Sequence, residues 1–104
     1  MTIVTIDHIP NRQYEILGVV RGNVVQSKNF GRDFMSAMKG LMGGEIEAYT
    51  DMLNEARKIA TGRMVKEAEE LQADAILNLR YASSSVMQGA AECIAYGTAV
   101  RFVD

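Results

Sequence analysis

The 104-residue sequence predicts an α+β fold, a sheet with two helices laid on one side. Three observations predict it. Two stretches with strand character come first, two with helical periodicity follow, and two more strands close the chain. The length is that of one domain spanning residues 1–104, long enough to bury roughly two-thirds of its unfolded surface. The final strand is apolar on both faces, which places it deep in a sheet.

Residues 2–6 are a short β-branched run, closed by a turn at Asp7, Pro10 and Asn11. Residues 14–26 form a longer, valine-rich strand. Gly18 and Gly22 inside it predict a bulge or a close backbone approach. Ser27 or Asn29 caps a first helix, along which Phe30, Phe34, Ala37, Met38 and Leu41 recur at helical spacing. Gly43 and Gly44 end or kink it, because glycine adopts C-cap conformations without steric penalty. A longer helix covers residues 45–72. Its apolar stripe runs through Ile46, Tyr49, Leu53, Ala56, Ala60, Met64, Ala68 and Leu71.

In residues 75–82, Ala75, Leu77, Leu79 and Tyr81 alternate with Asn78 and Arg80, a half-exposed strand. The serines at 83–85 and the region of Gln88 and Gly89 are expected as a turn. Residues 92–103 set Ile94, Tyr96, Thr98, Val100 and Phe102 on one face and mainly small apolar residues on the other. Helices on one side cover only one of these faces. No segment remains for the second, so a homo-oligomer is expected.

Composition narrows the partners. A net charge of −2 supplies no electrostatic reason for nucleic-acid binding. Cys93 is the only cysteine, which excludes an intrachain disulfide and a cysteine-based zinc site within one chain, and suits a reducing cytoplasm. The first twelve residues lack the features of a signal peptide, and no apolar run approaches the roughly 18 to 20 residues of a membrane span. A cytoplasmic protein without membrane or nucleic-acid partners is expected.

The densest chemistry is GGEIEAYTDMLNEAR at residues 43–57, with Glu45, Glu47, Asp51 and Glu55. Glu47, Asp51 and Glu55 recur every four residues opposite the apolar stripe, which makes them a solvated face. Glu45 and Glu47 also suit the positive end of the helix dipole. Charges on the apolar side are more informative. Arg57 lies at the stripe's edge, while Arg63 and Glu67 lie within it, four apart and able to pair. They either snorkel past the helix edge or reach across a subunit interface; Arg57 is also placed to meet Asp33 or a carboxylate of another subunit. His8 and Cys93 are single copies with no local nucleophile–base spacing, and a His8, Glu92 and Cys93 metal site would need a contact made by the fold. Met35, Met38 and Met42 suit core or interface packing better than Cu(I), and Gly40, Gly43 and Gly44 form no phosphate loop.

The ordered set Asn29-Phe30, Arg32-Asp33-Phe34, Gly43-Gly44, Tyr49, Ala56-Arg57, Ile59-Ala60, Ala68, Leu71, residues 73–76 (ADAI) and residues 97–100 (GTAV) resembles the YbjQ family over nearly the whole chain. Gln72 departs from it where the family has glycine. The resemblance implies a two-layer α/β subunit with an antiparallel sheet, dodecin-like, assembling as a homopentamer. It also carries a heavy-metal-binding label. The expected function is a non-enzymatic oligomer holding a small ligand or metal ion at subunit interfaces, with Arg32, Asp33, Tyr49, Arg57 and Glu67 as candidate residues. Asp33, Glu67 or Glu92, repeated around an axis, would make a ring of ligands. The alternative is an interaction module that presents its oligomeric surface to a protein without any ligand. No catalytic constellation assembles from spacing, so no enzymatic activity is expected.

Overall fold

A computed structural model describes residues 1–26, 43–87 and 90–104. Within them are four strands and one long helix: β1 (Thr2–Ile3), β2 (Tyr14–Gln26), α1 (Gly43–Glu70), β3 (Ala75–Met87) and β4 (Ala90–Phe102). The first helix expected from sequence, with Arg32 and Asp33, lies outside the described residues.

The sheet order is β1-β3-β4-β2. β4 is antiparallel to both β2 and β3, but β1 runs parallel to β3. The sheet is therefore mixed, not wholly antiparallel. The chain starts at one edge, and residues 4–13 cross to the other edge before β2 begins, which leaves β1 and β2 pointing the same way.

α1 lies over β2 and β4. Val20, Val24, Ile76, Cys93, Ala95 and Ala99 meet Ala56, Ala60, Met64 and Ala68 of the helix in one buried cluster. Leu53 of the expected stripe is half-buried and Leu71 exposed. Three alanines on the helix let it settle onto Gly22: a Cβ there would stand 2.2 Å from the Ala60 carbonyl oxygen and 2.3 Å from the Met64 nitrogen. Gly18 is the bulge, at φ 136°, where the register shifts between Ile16 and Gly18.

The end of α1 supplies its own stop without glycine. Gln72 adopts φ 62°, its N–H donates to the Glu69 carbonyl (2.9 Å), and the Ala73 N–H donates to the Ala68 carbonyl (3.0 Å). This is the Schellman arrangement with glutamine in the position usually held by glycine.

The serines at 83–85 extend β3 instead of turning. Ser83, Ser84 and Ser85 oppose Cys93, Glu92 and Ala91, because β4 offers each a ladder partner and pairing overrides local turn preference. The expected alternation along β3 also breaks. Asn78 sits at φ 62° within an irregularity between Leu77 and Arg80, so Leu77 and Tyr81 point to opposite faces.

The second face is covered in part by the chain itself. Val4 and Ile9 of the crossing arm, with Tyr14 and Phe102, pack over the buried Ala75, Leu77 and Val100. Beyond the arm this face is open. Ile16 is 71% exposed, Val19 67%, Val25 52% and Tyr96 41%.

Candidate functional site

β2 is an edge strand, and its outward backbone groups need partners. The flank of α1 provides two. A Glu67 carboxylate oxygen accepts the Arg21 N–H at 3.2 Å, and Arg63 Nη1 donates to the Asn23 carbonyl at 2.6 Å. Their spacing leaves these side chains able to pair with each other, and they were expected to snorkel past the helix edge or to reach across a subunit interface. They turn instead to the strand, because the close seat of α1 on Gly22 hangs both over the β2 edge.

Arg57 is half-buried, and its Nη2 donates to Asn54 Oδ1 on the same helix. The Thr61 hydroxyl donates to the Arg57 carbonyl at 2.7 Å and lies 2.7 Å from the Tyr81 hydroxyl, joining α1 to β3. Tyr49 falls within α1. Arg57 and Glu67 thus engage different partners, and the structure does not bring them to one point.

The metal candidates do not converge either. Cys93 is buried beneath α1. Glu92, next to it in an extended strand, faces the other way and accepts from Asn23 Nδ2 at 3.4 Å. His8 Nδ1 lies 2.9 Å from Asp7 Oδ1 on the exposed arm, and the hydrogen bond with His8, then its charge, lowers the Asp7 pKa. Among the described residues, no group of three His, Cys, Asp or Glu side chains is placed to hold a metal ion.

Sequence reading missed a polar cluster where the arm meets the end of β4. Arg12 donates from Nε and Nη2 to the two oxygens of Asp104, at 2.6 and 3.1 Å, and its guanidinium lies 3.8 Å above the Phe102 ring. The Gln13 N–H also points at Asp104 (3.4 Å), and the Val103 N–H donates to the Gln13 carbonyl (2.9 Å). The Arg12 hydrogen bond holds the Asp104 carboxyl below its ordinary value, and the same contact raises Arg12. Nearby, Arg101 Nη2 donates to the Leu71 carbonyl at 3.2 Å, capping the end of α1, and its Nη1 lies 3.4 Å from Glu15. No local signal links residues 12 and 104; only the fold makes them neighbours.

A helix-covered mixed sheet with a partly open rear face defines a small α+β protein of simple build. The chain belongs to the YbjQ family, described as "Putative heavy-metal-binding", whose pattern matches residues 1–103. It is 60% identical to a UPF0145 protein of Thermotoga maritima, over 97% of this chain and 96% of that one. It is 54% identical to one from Clostridium novyi, over 99% of this chain and 100% of the relative. A crystal structure of a protein of unknown function in the DUF74 family, from Pediococcus pentosaceus, shares the fold: TM-score 0.72 at 23% identity, covering 99% of this chain and 98% of that one.

Proposed function

We propose that this chain is a non-enzymatic subunit of a cytoplasmic homo-oligomer, a dodecin-like pentamer, that holds a small ligand or metal ion where subunits meet. The open apolar strip on the rear of the sheet carries the reading. That strip includes Ile16, Val19 and Val25, each more than half exposed, and contiguous apolar surface of this kind marks contact sites.

The family description supplies the metal half of the proposal. Among the described residues no metal donors converge, and the proposed metal site is assembled from adjoining copies. Native mass spectrometry on protein purified without chelators, repeated after denaturation, tests both halves. A mass of several subunits with an extra mass lost on denaturation supports the reading. A bare oligomer favours a ligand-free interaction module, for which the same exposed strip is the contact surface. A bare monomer overturns both.

A further inference from the structure

The middle of β2 reads VVRGNVV over residues 19–25, a near-palindrome centred on Gly22. Laid antiparallel against itself about Gly22, the strand sets Val19 opposite Val25, Val20 opposite Val24 and Arg21 opposite Asn23. A two-fold contact between identical copies needs such symmetry, because one patch serves both sides. Among the described residues β2 is an edge strand, with β4 as its neighbour in the sheet.

The contacts of α1 show which backbone groups face outward. The Arg21 N–H donates to Glu67 and the Asn23 carbonyl accepts from Arg63, at 3.2 and 2.6 Å, so residues 21 and 23 direct these groups away from β4. In an antiparallel ladder a residue's N–H and C=O point to the same side, and every second residue shares that side. Val19, Arg21, Asn23 and Val25 therefore make up the outward row. In the self-paired register Arg21 and Asn23 become a hydrogen-bonded pair, the Arg21 N–H of one copy donating to the Asn23 carbonyl of the other. Those are the two groups that the helix already holds. The Glu67 carboxylate takes the place of a second copy's Asn23 carbonyl, and the Arg63 guanidinium that of a second copy's Arg21 N–H.

We propose that the outer edge of β2 is a self-pairing surface for a second copy of this chain, two-fold about Gly22, which Arg63 and Glu67 hold shut. A long valine-rich edge strand is a template for adding the strand of another chain. Val19 and Val25, 67% and 52% exposed, would lie side by side across the junction. The closed edge keeps the sheet from running on into a neighbour and leaves the rear face as the surface for assembly. This contact is separate from the subunit interface proposed above and does not depend on it.

Sedimentation velocity and hydrogen exchange on the full chain test it, comparing wild type with R63A/E67A over a range of concentrations. The double variant should associate beyond the wild-type particle, whatever its subunit count, at least about tenfold more tightly. As it does so, the amides of residues 19, 21, 23 and 25 should become protected. R63A and E67A alone should give smaller shifts of the same kind, a readout that stands if the double variant loses its fold. Val25→Pro removes an outward N–H at a position where an edge strand tolerates proline, and should return the double variant to the wild-type mass. An unchanged mass in all the alanine variants overturns the proposal. So does association that leaves those four amides unprotected or that survives Val25→Pro. A monomeric wild type counts only against the rear-face assembly, so the two readings fail separately.

Discussion

Gln72 and Asp104 show how single residues set the ends of elements. Gln72 occupies a left-handed conformation that costs a non-glycine residue about 1 to 2 kcal/mol, while its neighbours complete the helix stop. Gln72→Gly should therefore stabilise the protein by about 1 kcal/mol, read as a higher urea midpoint with unchanged slope. Asp104 is held by Arg12 and its pKa is lowered. A carboxyl whose folded pKa lies below its unfolded value contributes stability above that unfolded value, and loses it as pH falls through the folded one. Asp104→Asn should lower the urea midpoint near neutral pH, and the gap to wild type should close in acid. The missing glycine at 72 was visible in the sequence. The Arg12–Asp104 contact was not, since nothing near either residue announces a partner 92 positions away.

At the scale of elements, α1 on β2 is the decisive contact. A methyl group at Gly22 would collide with helix backbone at two points, and backbone cannot rotate out of the way as a side chain can. Gly22→Ala should destabilise by about 3 kcal/mol, measured by chemical denaturation. Glu67→Ala should cost about 1 kcal/mol and speed hydrogen exchange at the Arg21 amide that it caps. The sequence revealed both ends of β2, the roles of Gly18 and Gly22, and the middle of the helical stripe, because these follow from local periodicity and glycine's special geometry. It did not reveal that residues 83–85 pair in a strand, that Asn78 reverses the facing of β3, or that β1 is parallel. Each of those depends on which strand lies alongside. The candidate site was less legible still: Arg63 and Glu67 were recognised as unusual charges, but their partners are backbone groups of β2.

For the whole molecule, the rear face of the sheet is divided. The crossing arm covers one end, while Ile16, Val19 and Val25 stay open. The sequence argument for an open face was right about the strip and wrong that no segment of the chain reached that side, because residues 2–6 read as a short strand run and Asp7, Pro10 and Asn11 as the turn that closes it. If the strip is an interface, Ile16→Lys combined with Val19→Lys should reduce the native mass to that of one subunit while the circular dichroism spectrum stays unchanged. An oligomer that survives the pair would place its contacts elsewhere.

The crossing arm also has a kinetic meaning. It hydrogen-bonds to Asn78, Leu79 and Val103 and packs on Leu77 and Val100, groups that share a surface only once β3 and β4 have paired. Docking it closes some of the longest loops in the chain, so the arm should settle after the rate-limiting step of folding. Ile9→Ala should then accelerate unfolding and leave the refolding rate unchanged, a φ-value near zero in stopped-flow kinetics. The segment that hides part of the sheet would be the last to arrive and the first to leave.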